Sequence, residues 1–117
     1  MPGVEIIFYE KADGKKPAEE FIYSLDAGMQ AKMVRAIDRL MDYGPSLRRP
    51  YSAPLGDGIF ELRAQFGSDI SRVLYFFIIN GGAVLTHGFI KKTQKTPPEE
   101  IERAKRYRAE YLGRWVK

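Results

Sequence analysis

The sequence predicts an α+β fold, in which an antiparallel sheet made of consecutive strands carries helices packed on one face. Two segments with helical spacing follow a single short strand, three strand-like segments then come in succession, and a third helical segment follows them. Strands that are grouped together with helices outside the group indicate α+β rather than an alternating α/β fold. The predicted order is β-α-α-β-β-β-α, as a single domain over residues 1–117.

The N-terminal part of the chain supplies one strand and two helices. Residues 4–9 (VEIIFY) are β-branched and aromatic, which predicts a strand. Pro17 suits the first turn of a helix over residues 18–25. Residues 29–43 repeat apolar side chains at helical spacing, and Gly44-Pro45 ends that helix.

The middle of the chain predicts a loop followed by the sheet. Residues 44–58 hold three prolines and three glycines and are expected to form a long ordered loop. Residues 59–66 alternate between apolar and polar side chains, as in a strand with one covered face. Residues 70–79 are apolar on both faces, which is typical of a central strand, and Arg72 interrupts them. Asn80-Gly81-Gly82 predicts a hairpin that returns through residues 83–90.

The last helix is expected to begin at Thr96-Pro97-Pro98-Glu99. Threonine at the cap, proline in the first turn and glutamate at the third position form a capping-box pattern. The helical spacing continues to about Leu112. The two N-terminal helices and this C-terminal helix complete the predicted architecture.

Composition excludes several kinds of chemistry. The chain has no cysteine, so a disulfide, a thiol nucleophile and a thiolate metal site are absent, and a reducing cytoplasm is the expected location. The N-terminus lacks a signal-peptide pattern, and no apolar run is long enough to span a membrane. With one histidine, and with Asp57, Glu61 and Asp69 in no recognisable ligand spacing, we expect no metal and no cofactor.

Positive charge is concentrated toward the end of the chain. The net charge is +4, and residues 91–117 carry nine Lys/Arg against four Glu. No Asp or Glu occurs from Ile70 to Pro98, so Arg72 and the lysines near residue 91 have no acidic neighbour in sequence. Such a basic segment favours a polyanion such as nucleic acid, and the alternative is a solvated helix face.

Three motifs occur in order between residues 55 and 97: LGDGIFELR at 55–63, RVLYFF at 72–77 and HGFIKKTQKTP at 87–97. Together they resemble the HigB-like, phage-derived branch of the RelE/ParE toxin superfamily. The helical segments 17–44 and 97–112 match that family in pattern and order only. The resemblance implies a RelE-like fold and a toxin of a type II toxin–antitoxin module.

The resemblance also implies a target and partners. RelE- and HigB-type relatives cut mRNA, usually in the ribosomal A site, whereas ParE-type relatives share the fold and poison DNA gyrase. The expected partner is an antitoxin, often a helix-turn-helix protein, through which operator DNA is bound. A catalytically idle, phage-derived binding protein is a third possibility, and the identity of the toxin's target stays open at this point.

Metal-independent RNA cleavage needs few groups. The 2′-OH attacks the adjacent phosphate, which gives a 2′,3′-cyclic phosphate and a 5′-OH. Such a site requires a base for the 2′-OH, cations for the charge that develops on the phosphate, and an acid for the leaving oxygen. Arginine matches phosphate through its planar fork, and lysine acts as a point charge. The segment without acids between residues 70 and 98 has the composition that such a site would use.

Arg63 and Arg72 are the arginines expected to act on the phosphate. Arg63 lies on the polar face of its strand, where the family has basic positions, and its structural alternative is an ion pair with Glu61. Arg72 matches the family's strand arginine, and an unpaired charge in that apolar strand would be costly. The alternative for Arg72 is an ion pair with Asp69 or Glu61.

The last strand supplies the other candidates for catalysis, Lys91, Lys92 and His87. Lys91 shares strand parity with His87, and Lys92 does not, so only one lysine is expected to face the site. His87 titrates near neutrality and suits a general acid, although a lone strand histidine is more often a hydrogen-bonded structural residue. Further RNA contacts are expected from the loop cations: Arg48, Arg49 and Lys95.

Overall fold

The structure, a computed structural model, describes residues 3–91 and 95–115. Within them it shows five strands and three helices, which confirms the predicted α+β class. The elements are β1 Glu5–Phe8, α1 Pro17–Ser24, α2 Ala27–Tyr43, the 3-10 turn Gly44–Ser46, β2 Ser52–Gly56, β3 Ile59–Phe66, β4 Asp69–Phe77, β5 Gly82–Lys91 and α3 Pro98–Trp115. No helix in the described part of the chain is long and apolar enough to cross a membrane.

The sheet is mixed rather than purely antiparallel. Its strand order is β1-β5-β4-β3-β2, and β1 runs parallel to β5, with Glu5 opposite Gly82. The pairs β3–β4 and β4–β5 are antiparallel, as predicted, and the pair β2–β3 is antiparallel as well. The prediction was wrong for β1 because the composition of a short strand does not specify which strand it pairs with. Here the partner is β5, the last strand in the sequence.

The predicted loop over residues 44–58 contains an additional strand. β2 pairs with β3 and forms one edge of the sheet, and its register shifts between Pro54 and Gly56. A proline lacks the backbone N–H that a central strand needs, but an edge strand tolerates it. The proline and glycine content therefore hid a strand that lies at the edge.

The helices cover both faces of the sheet. α1 and α2 pack on one face, as predicted, where Met33 and Leu40 contact a cluster that includes Leu62 and Val73. α3 lies on the opposite face, where Ala104 packs into the second cluster. Placing all helices on one face was wrong because β4 is apolar on both sides, and each apolar side needs a cover.

The start of α3 differs from the predicted capping box. Asp26 caps α2 by accepting a hydrogen bond from the Met29 N–H at 3.0 Å. Thr96 makes no such capping bond among the described residues, and its hydroxyl donates to the carboxylate of Glu61 on β3. α3 begins at Pro98, and Glu100 in its first turn is hydrogen-bonded to His87 on β5.

Candidate functional site

The register of β3, β4 and β5 brings candidate cations from separate strands onto the sheet face that α3 covers. Arg63 lies opposite Arg72, and Arg72 lies opposite Phe89. Lys91 lies opposite Ile70, two residues from Arg72, and is therefore on the same face. Arg63 and Lys91 stand two strands apart, roughly 10 Å across the sheet.

Glu61 is the centre of a buried polar group. Its carboxylate lies 3.4 Å from Nε of Arg63 and 3.5 Å from Nε of Arg72, and it accepts the hydroxyl of Thr96. Arg72 is fully buried, and Glu61 is 3% exposed. Burial lowers the pKa of Arg72, and the adjacent Glu61 carboxylate opposes that shift. We call Glu61, Arg63, Arg72 and Thr96 the Glu61 cluster.

The Glu61 cluster corrects the expectation that these cations have no acidic neighbour. The gap between Ile70 and Pro98 is real in sequence, but β3 pairs with β4 and places Glu61 beside Arg72. The ion pairs considered as structural alternatives for Arg63 and Arg72 are therefore present. Arg72 is sealed from solvent in this arrangement, whereas the side chain of Arg63 is 16% exposed.

His87 is buried beneath α3. Its Nε2 lies 3.0 Å from a carboxylate oxygen of Glu100, and its Nδ1 lies 3.1 Å from the hydroxyl of Thr86. The ring meets Tyr107 edge to face, with 5.7 Å between centroids. Burial lowers the pKa of His87, while the hydrogen bond to Glu100 acts in the opposite direction. These contacts are those of a structural histidine that links β5 to α3.

The remaining predicted cations lie in different surroundings. Lys91 and Lys95 are exposed, and Lys92 lies outside the described residues. Arg48 and Arg49 are exposed and line a hollow of about 490 Å³ beside the edge strand β2, with Phe60 in its wall. The structure therefore does not bring the loop arginines into the Glu61 cluster.

A second cationic surface was not predicted. Lys32, Arg35 and Arg39 lie along α2 and line a groove of about 450 Å³, together with Tyr51 and Arg63. The Arg39 guanidinium lies 4.2 Å from the centre of the Tyr51 ring. Spacings of three and four residues on a helix would have revealed this surface from the sequence alone. We call it the α2 groove.

α3 is anchored to the body of the protein along its length. Tyr9 donates a hydrogen bond to Glu110 and stacks on Tyr107, with 4.6 Å between ring centroids. Burial and the adjacent Glu110 raise the pKa of Tyr9. Arg108 binds both the backbone carbonyl and the carboxylate of Asp57 at the β2–β3 turn. The cover over the Glu61 cluster is thus fixed at its start, middle and end.

The fold and the motifs agree with the comparison to known families. A sequence model of the family described as phage derived protein Gp49-like (DUF891) matches residues 20–109, a range that contains the Glu61 cluster, His87 and the α2 groove. That family is part of the RelE-like group of proteins related to toxin–antitoxin modules. No curated protein matches the chain. Because the matched range covers most of its length, this chain belongs to the Gp49-like family of phage-derived proteins.

Proposed function

We propose that this protein is the toxin of a type II toxin–antitoxin module and that it cleaves mRNA on the ribosome without a metal. The observation that carries the proposal is the strand register, by which Arg63 and Lys91 share the face of the sheet that also carries Arg72. Membership of the RelE-like group supports the same activity, with the HigB-like branch as the proposed relationship.

In the proposed reaction the 2′-OH of one nucleotide attacks the neighbouring phosphorus. A bond from the 2′-oxygen to phosphorus forms, and the bond from phosphorus to the 5′-oxygen breaks. The 2′-OH loses its proton, and the leaving 5′-oxygen gains one. Negative charge develops on the phosphate oxygens during this step. Preorganised cations lower the barrier by stabilising that charge, and the partly exposed Arg63 and the exposed Lys91 and Lys95 are suited to this role.

The buried members of the site have a supporting role in this proposal. Arg72 holds one carboxylate oxygen of Glu61 while Arg63 contacts the other. Arg72 therefore acts as a positioning residue that orients Arg63 through Glu61. His87 holds the first turns of α3 over the cluster through Glu100.

The proposed partner is a cognate antitoxin, expected to be a helix-turn-helix protein that also carries the operator contact. The target is mRNA in the ribosome, where the ribosome fixes the geometry of the substrate. Activity on isolated RNA is not required by the proposal, because orientation of the attacking group supplies a large part of the rate enhancement.

The experiment is controlled expression in a bacterial host, followed by mapping of the 5′ ends of cellular mRNA. The wild type is compared with Arg63→Gln/Lys91→Gln and with Lys11→Gln/Lys15→Gln, which removes the same charge away from the site. We expect growth arrest and new 5′-OH ends with the wild type and the control. The site variant should cleave about 100-fold more slowly, as for loss of groups that stabilise a developing charge.

Two outcomes would contradict the proposal. Growth arrest with intact mRNA and a DNA-damage response would indicate gyrase as the target. Normal growth when the wild type is expressed without antitoxin would indicate a binding protein without toxin activity. Equal urea midpoints of the two variants ensure that a difference between them does not reflect unfolding.

A further inference from the structure

The α2 groove is a basic surface that the predicted catalytic set does not include. It lies between α2, the segment before β2 and the end of β3. Four cations, namely Lys32, Arg35, Arg39 and Arg63, line it, and none of its described lining residues is acidic. Its volume of about 450 Å³ is within the range of sites that hold small ligands or single groups of larger ones.

The three cations of α2 share one helix face. Lys32, Arg35 and Arg39 are separated by three and four residues, so they lie within a narrow arc over two turns, roughly 10 Å along the axis. Ala36 lies on the same arc and is buried against the sheet, which places the cations beside it along the rim. Lys32 and Arg35 are exposed.

Their charges are not balanced by neighbouring acids. In residues 3–91 and 95–115, no carboxylate forms an ion pair with Lys32, Arg35 or Arg39. Four of the cations of α3 differ, because they are paired with carboxylates: Arg103 with Glu100, Lys105 and Arg108 with Asp57, and Arg114 with Glu110. Like charges on adjacent helix turns destabilise a helix slightly, which makes a bound polyanion a favourable counterpart.

An aromatic ring lies within the same groove. Tyr51 is 36% exposed, and the Arg39 guanidinium stacks over its ring at 4.2 Å. Single-stranded nucleic acids are commonly held by basic grooves that follow the phosphates and by aromatic or guanidinium planes on which bases stack. An acidic protein segment would use the cations but would have no use for the stacked plane. The combination of the two features favours RNA.

We propose that the α2 groove binds the backbone of a single-stranded RNA that continues from Arg63, with one base stacked at Tyr51. Arg63 lines the groove and also belongs to the Glu61 cluster, so the two sites meet at this residue. The inference rests on the proposed nuclease function, for which it supplies a path for the strand beside the cleaved bond. Binding through this groove is nevertheless measurable without cleavage.

The experiment measures binding of a fluorescent, single-stranded 2′-O-methyl RNA, which cannot be cut because it lacks the attacking hydroxyl. Anisotropy titrations over a series of salt concentrations compare the wild type with Lys32→Gln/Arg35→Gln/Arg39→Gln. Loss of three phosphate contacts should make the slope of log K against log salt shallower by about 2. Affinity at low salt should fall by at least about tenfold.

Two further proteins make the result specific. Lys11→Gln/Lys15→Gln/Lys16→Gln removes the same charge outside the groove and should keep the wild-type slope. Tyr51→Leu should weaken binding about tenfold through lost stacking while leaving the salt slope unchanged. Urea midpoints close to that of the wild type establish that each variant is folded.

Several outcomes would overturn the inference. Equal losses of affinity in the groove variant and the control would indicate only a general charge effect. A groove variant that binds RNA as the wild type does would show that the groove takes no part in binding. If the groove variant lost binding to poly-glutamate but still bound RNA, the groove would be assigned to an acidic protein. One outcome separates the two proposals. If the groove binds RNA but the protein does not cut mRNA, the proposed nuclease function is refuted and the assignment of the groove to RNA is supported.

Discussion

The Glu61 cluster and the α2 groove are both rich in cations, but the cations are paired with a carboxylate in the first and, on α2, are not in the second. In the Glu61 cluster Arg72 is fully buried and is matched by the carboxylate of Glu61, which also accepts the hydroxyl of Thr96. In the α2 groove the three helix cations have no carboxylate partner among the described residues. The first arrangement is that of a structural anchor, and the second is that of a surface prepared for an anion.

The difference shows that isolation in sequence is a poor guide to isolation in space. No acidic residue follows Arg72 in the sequence until Glu99, yet Glu61 reaches Arg72 from the adjacent strand. Lys32, Arg35 and Arg39 have Asp38 and Asp42 nearby in sequence, yet no ion pair forms on their face of the helix in the described structure. Strand register and helix phase decide which charges meet.

The largest expected effect is on the anchor. Glu61→Gln removes the charge that balances buried Arg72, and loss of one partner of a buried pair typically costs about 3–5 kcal/mol. We expect the urea midpoint to fall accordingly. In the double variant Glu61→Gln/Arg72→Met the loss should be clearly smaller than the sum of the two single losses. Strict additivity would show that the two side chains are not coupled.

A smaller effect is expected at the hydroxyl that connects the anchor to α3. Thr96→Val keeps the shape of the side chain but removes the donor to the buried carboxylate of Glu61. Such a loss costs about 1–3 kcal/mol, which equilibrium unfolding measures. Ser68→Ala, at an exposed turn, is the matched control and should have little effect. A Thr96→Val protein as stable as the control would mean that the contact contributes nothing.

The smallest effect concerns pH. Burial lowers the pKa of folded His87 below its usual 6.5, so the unfolded chain binds more protons around that pH. Stability from this group is therefore complete above pH 6.5 and falls on acidification, by at most about 1.4 kcal/mol per pH unit. His87→Asn should flatten the profile of urea midpoint between pH 7.5 and 5.5.

The opposite slope would have a definite meaning for His87. If the protein became more stable on mild acidification, the attraction of protonated His87 to Glu100 would outweigh the cost of burying its charge, with Arg103 and Arg106 too weak to oppose it. The charged rather than the neutral ring would then be the native form. That result would also support the initial prediction that His87 acts as a general acid.

Much of the fold follows from local patterns in the sequence. The spacing of Met29, Met33 and Leu40 predicts α2, and the apolar run from residue 70 predicts the central strand β4. The parallel pairing of β1, the edge strand β2 and the face taken by α3 depend on contacts between remote segments. Periodicity within one segment contains no information about those contacts.

The sequence predicted which types of residue form the site, but it predicted less of how they are arranged in space. Parity along the strand placed Lys91 on the same face as His87, and the register agrees. Burial of Arg72 and His87 was not predictable, because α3 is held over them by contacts with remote segments, among them Tyr9 and Asp57. The spacing of Lys32, Arg35 and Arg39 indicates a cationic face of α2, but the approach of that face to Tyr51 and Arg63 depends on tertiary contacts.

The central claim is that exposed cations act on RNA while buried Arg72 supports them. The most direct test is cleavage of mRNA in a translating extract, expressed per folded molecule, for Arg63→Gln and Arg72→Met side by side. The account predicts that Arg63→Gln folds normally and cuts about 100-fold more slowly, whereas Arg72→Met is destabilised and its folded fraction cuts within about tenfold of the wild type. A stable Arg72→Met that does not cut, beside an active Arg63→Gln, would contradict it.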